Sequence, residues 1–103
     1  MNKRIADRYW KIINRYGAKN QILQAMEELA ELIQALNKNM RDPSIDNHNH
    51  VLEEIADVQV MLDQLKLIFD QASNNGSMAE YEINEIMIAK IMRQIKRIEE
   101  GEK

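Results

Sequence analysis

The chain has 103 residues, 45% of them apolar and 30% charged, with a formal net charge of -3 and no cysteine. That length suits one small domain, residues 1–103, and is too short for two. The composition excludes disulfides and thiolate metal sites, gives no overall attraction for nucleic acid polymers or acidic membranes, and offers no apolar run near the roughly 18 residues of a membrane span.

Arg4, Asp7, Arg8 and Lys11 interrupt any signal-peptide core, so a cytoplasmic protein is expected. Ile5, Tyr9, Ile12 and Ile13 recur at helical spacing and predict a short amphipathic helix over about 3–16. Trp10 lies beside that stripe, and Gly17 is expected to cap the helix. A second helix is expected over about 20–37, with Ile22, Met26, Leu29, Ile33 and Leu36 as its core stripe. Glu28 and Glu31 lie roughly 120° to 180° away from that stripe, on a side shared by Gln21, Gln24 and Ala35. This side is either wet or the lining of an internal cleft. Residues 38–50 read as a loop around Asp42-Pro43-Ser44, with Asn49 as the N-cap of the next helix.

The third helix, about 51–71, carries Val51, Ile55, Val58, Leu62, Leu65 and Phe69 within roughly 80° of one another. Val60, Met61, Leu67 and Ile68 widen the apolar arc beyond one stripe, so a second subunit is expected to cover part of it. Residues 73–76 supply turn chemistry, and Ser77 with Glu80 forms a capping box that opens a fourth helix to about Glu99. Its stripe is Tyr81, Ile88, Ile91, Met92, Ile95 and Ile98, with Asn84 inside it, and the tail 100–103 is expected to fray. The expected fold is all-α: one short and three long helices forming a bundle completed by oligomerisation.

Glu54 and Asp57 fall inside the widened apolar arc of the third helix, three apart and therefore on one face. A carboxylate on a face that must be buried is costly unless it is paired, protonated or bound to metal. Glu28 and Glu31 repeat the spacing on the preceding helix. Surface acid on amphipathic helices accounts for Glu28 and Glu31 taken alone. Four carboxylates on two helices suit a hard divalent cation. His48 and His50 stand two apart in the expected loop without a third ligand, so no zinc site is expected there, and no Glu-x-x-His of the di-iron type occurs.

The pattern Glu27-Glu28-x-x-Glu31, twenty-two residues, then Glu54-x-x-Asp57 resembles the signature of the MazG-like all-α nucleoside triphosphate pyrophosphohydrolases, over roughly residues 5 to 98. The resemblance implies Mg²⁺, or Mn²⁺ in its place, held by Glu28, Glu31, Glu54 and Asp57. It implies hydrolysis of a (deoxy)nucleoside triphosphate to the monophosphate and pyrophosphate by metal-activated water at the α-phosphorus. Glu27 or Glu53 would orient or deprotonate that water. Lys90 and Arg93 match a basic pair that relatives carry on the last helix for phosphate contact, although Ile88 stands where relatives often have an asparagine, a place Asn84 is a candidate to fill. Gln21 and Gln24 are candidates to read a base edge and Trp10 to stack on it. A homodimer or homotetramer follows from the same resemblance. Two readings compete: a non-catalytic helical oligomerisation module, and an inactive relative that only binds nucleotide.

Overall fold

Local capping decides where the helices of the computed structural model begin and end. The structure describes residues 1–101; Glu102 and Lys103, part of the tail expected to fray, lie outside the described residues. Helix α1 (Lys3–Tyr16) starts where Asn2 Oδ1 accepts the N–H of Ile5 at 2.9 Å. It stops at Gly17, which takes φ 93° and bonds back to the Ile13 carbonyl. Helix α2 (Ala18–Arg41) follows at once, then α3 (Ile45–Ile68) and α4 (Ser77–Glu99). The regular structure of the described residues is all α-helix, without a strand. Among the described residues no helix is long and apolar enough to cross a membrane.

The loop expected over 38–50 shrinks to three residues. Helix α2 continues to Arg41, and Ser44 rather than Asn49 caps α3, its Oγ accepting the N–H of Asn47 at 3.0 Å. The first turns of α3 face solvent, and Ile45 is exposed there, so they carry no apolar periodicity from which a helix can be read. The capping box at Ser77 also gives way. Ser77 is already helical, and Asp70 reaches across the turn so that its Oδ2 accepts the N–H groups of Met78 and Ala79. Glu80 instead pairs with the N-terminal ammonium. Helix α3 ends at Ile68, three residues short of the expected Gln71.

Helices α2 and α3 run antiparallel and make the main contact of the fold. The α2 face they share is the polar one. Gln21, Ala25 and Ala35 are buried, whereas Met26, Leu29, Ile33 and Leu36 of the expected core stripe are exposed. On α3 the buried set is Glu54, Val58, Met61, Gln64 and Leu67, while Ile55, Leu62 and Phe69 are exposed. Within the single chain the packed face is therefore rotated from the expected stripe on α3, and on α2 it is the polar side, the cleft-lining alternative for Gln21 and Ala35. Small alanines on α2 let the backbones approach closely, which selects that face for the contact. Helix α1 closes one end through Ala6 and Ile13 on Leu67, with Tyr9, Trp10 and Ile68 around them. Among the helices described, α4 packs on α3 alone; it has no buried residue and leaves an apolar groove of about 590 Å³ floored by Leu62, Leu65, Phe69, Ala79, Ile83 and Met87.

Candidate metal centre

The antiparallel register brings the two acidic pairs to the same level of the α2–α3 seam. Glu28, Glu54 and Asp57 each offer one carboxylate oxygen, and these three oxygens lie within 4.8 Å of one another. Oxygens around a Mg²⁺ ion at about 2.1 Å stand at most roughly 4.2 Å apart, so small side-chain rotations bring the three into range. An all-oxygen set of this charge suits a hard divalent cation and disfavours soft ones.

Burial makes this more than a surface cluster. Glu54 is 7% exposed, and its Oε2 has no hydrogen-bond partner among the described residues. Glu28 Oε2 is likewise buried and unpartnered, while its Oε1 accepts from Gln24 Nε2 at 2.9 Å. Burial pushes the Glu28 carboxyl up from its ordinary range; the Gln24 hydrogen bond opposes this, and the charges of Glu31 and Asp57 add to the rise. A carboxylate crowded in this way gains from a cation more than a solvated one does. Two buried, unpaired carboxylate oxygens facing a third acid are the observation that fits a bound metal.

The remaining candidates distribute unevenly. Glu31 is exposed but close enough to Glu28 to act on its carboxyl, and it lines a cleft with Glu54. It lies outside the tight group of three. Gln24 is at the centre through Glu28. Glu53 points outward, three-quarters exposed, with His50 Nδ1 3.8 Å away, and Glu27 is exposed. Gln21 is buried two turns from Glu28 and donates to Gln64 Oε1 at 2.8 Å, so its amide is already engaged. Trp10 packs into the α1 end of the core and donates its indole N–H to the Asn74 carbonyl at 2.6 Å. That turn lies beyond the C-terminus of α3, more than ten residues past Asp57. Lys90, Arg93 and Asn84 are exposed on α4, and within one chain they are not brought to the acids.

His50 and Lys38 are residues the sequence reading did not place here. His50 Nε2 lies 3.7 Å from Glu54 Oε1, and Lys38 lines the same cleft. The signal was present in Ser44: a serine just after Pro43 starts the helix early and sets His50 one turn before Glu54. Comparison with protein-family models, with curated proteins and with solved structures finds no match.

Proposed function

We propose that the chain is a Mg²⁺-dependent nucleoside triphosphate pyrophosphohydrolase of the MazG-like type, releasing a nucleoside monophosphate and pyrophosphate. The pair of buried, unpartnered oxygens on Glu28 and Glu54, set against Asp57, carries this reading. Those three would hold the ion, with Glu31 at their edge. When bound, the ion would supply charge neutralisation for the phosphates and a water acidic enough to act as nucleophile near neutral pH. Gln24 holds Glu28 in place by donating to the Glu28 Oε1, and one of the flanking exposed carboxylates, Glu27 or Glu53, would accept the proton of the attacking water. In the reaction a water oxygen bonds to the α-phosphorus while the bond to the bridging oxygen breaks, and that oxygen departs with pyrophosphate.

The reading includes a homo-oligomer. The single chain exposes 8161 Å², against about 6,000 Å² expected for a compact monomer of this mass. Its radius of gyration is 16.8 Å, against about 13 Å. The excess is of the size an obligate interface buries per protomer. A second copy on the α4 groove and on Met26, Leu29, Ile33 and Leu36 would account for it, and is the route by which Lys90 and Arg93 would reach an acidic centre. The apolar length of α4 equally suits a non-catalytic oligomerisation module, so assembly does not separate the two readings; the carboxylates do. A panel of nucleoside triphosphates with Mg²⁺ is expected to yield pyrophosphate, abolished by chelator and by Glu54→Gln. Orthophosphate alone would indicate another chemistry, and no turnover with a silent Asp57→Asn would favour the module. Light scattering is expected to give a dimer or larger; a 12.1 kDa monomer at micromolar concentration would contradict the assembly.

A further inference from the structure

Beside the acidic group the α2–α3 seam opens into a cleft of about 370 Å³ lined by Glu31, Gln34, Ala35, Lys38, His50 and Glu54. Its wall changes character along its length. Glu31 and Glu54 mark the end next to Glu28 and Asp57. Lys38 lies two turns further along α2, about 10 Å by helical rise, and His50 lies one turn before Glu54 on α3. Helical side chains lean toward their helix N-terminus, which carries the Lys38 ammonium back along the cleft toward Glu31. Neither donor is spent among the described residues. Among the described residues Lys38 makes no ion pair, and the His50 ring nitrogens sit 3.7 and 3.8 Å from Glu54 and Glu53, too far for hydrogen bonds. The cleft thus joins a cation-seeking end to an anion-seeking end. Its lining holds no Phe, Tyr or Trp on which a base would stack.

A ligand satisfying both ends carries anionic oxygens spread over several ångströms, some shared with a cation and others free to accept N–H bonds. A phosphoanhydride has that chemistry. Resting on the metal reading above, we infer that this cleft is the subsite for the terminal phosphates of the nucleotide and for the pyrophosphate they become. Lys38 supplies a mobile point charge, and His50 supplies a ring N–H, which even the neutral imidazole has. Both residues are exposed, so replacing them leaves the core intact.

The test uses the full chain with Mn²⁺ as probe metal and inorganic pyrophosphate as probe ligand. Mn²⁺ binding is read by electron paramagnetic resonance, and pyrophosphate binding to the Mn²⁺-loaded protein by calorimetry. Lys38→Gln and His50→Gln are each expected to weaken pyrophosphate about tenfold while leaving Mn²⁺ alone within twofold. A nucleoside monophosphate should bind both variants as it binds the parent, and Lys11→Gln on α1 should change nothing. Unaltered pyrophosphate affinity in both variants, with Mn²⁺ still bound, overturns the subsite and leaves the metal centre standing. Equal losses for the monophosphate overturn the assignment to terminal phosphates. Failure of the parent protein to bind Mn²⁺ overturns the metal centre, and the subsite with it.

Discussion

Two buried polar clusters share the α2–α3 seam, about two turns apart, and they treat their hydrogen bonds differently. At one, Gln21 Nε2 donates to Gln64 Oε1 at 2.8 Å, and Gln64 Nε2 rests 3.9 Å from Met61 Sδ. At the other, Glu28 and Glu54 each bury an oxygen without a partner, beside the carboxylate of Asp57. The two lie on the same helices, the amides both buried and the acids graded from buried Glu54 through half-buried Glu28 to exposed Asp57. A neutral pair that answers itself fixes the register of the helices and needs nothing further. A buried carboxylate that leaves acceptors open is destabilising unless a proton or a ligand answers it. The amide pair is also what holds the acids at a common level, because a slip along the seam would break its bond.

The largest expected effect sets the two clusters apart by sign. Glu54→Gln should weaken Mg²⁺ or Mn²⁺ binding by about 100-fold or more, at the upper edge of what losing even an outer partner of a ligand costs. The metal-free protein should become more stable by about 1 kcal/mol, since an unpaired buried charge is removed. Calorimetric metal titration and urea unfolding in chelator read the two quantities. A Glu54→Gln protein that loses stability in chelator while keeping its metal affinity would place the acids in the same structural class as the amides.

At the amide pair the sign reverses. Gln64→Leu alone should cost about 1–3 kcal/mol in urea unfolding, because it strands the buried amide of Gln21. The double replacement Gln21→Leu with Gln64→Leu should cost less than the single one, since no polar group is then stranded. Metal affinity should stay within about twofold wherever the register holds. A double variant worse than the single one would mean that the pair does more than answer itself.

The same contrast explains what the sequence disclosed. The four helices, the positive φ at Gly17 and the joint appearance of Glu28, Glu54 and Asp57 were legible, because periodicity, glycine and paired acids are local signals. The faces were not. Apolar spacing on α2 selected Met26, Leu29, Ile33 and Leu36, which a single chain leaves exposed. Hydrophobicity reports burial against any partner, including one outside the chain, whereas Gln21, Ala25 and Ala35 are buried within it. The start of α3 was missed because its first turns are solvated, so Ser44 was the sole cue. Asp70 was missed as a cap because it lies seven residues before Ser77, and sequence patterns of capping look only three residues away.

The smallest effect concerns pH, and two carboxyls divide it. Burial raises the Asp70 carboxyl, but the Ser73 hydroxyl and the N–H groups of Ala72, Ser73 and Ala79 outweigh this and hold it down, from 3.8 to about 2. Its contribution to stability is therefore present above pH 3.8 and is lost as pH falls toward 2. Glu28 is shifted the other way, chiefly by burial. Its contribution is fully present below its ordinary 4.5 and is lost as pH rises through the raised value, where the metal-free fold must carry another charge. A cation displaces that proton, so metal affinity should climb with pH by at most about tenfold per unit and level off once Glu28 is ionised. Asp70→Asn should remove the acid-induced loss between about pH 4 and 2, followed by circular dichroism, and leave the slope of metal affinity intact. If that substitution flattened the metal slope instead, the proton that the metal displaces would not belong to Glu28, and the acids on the seam would lose their claim to be the charged cluster that waits for a ligand.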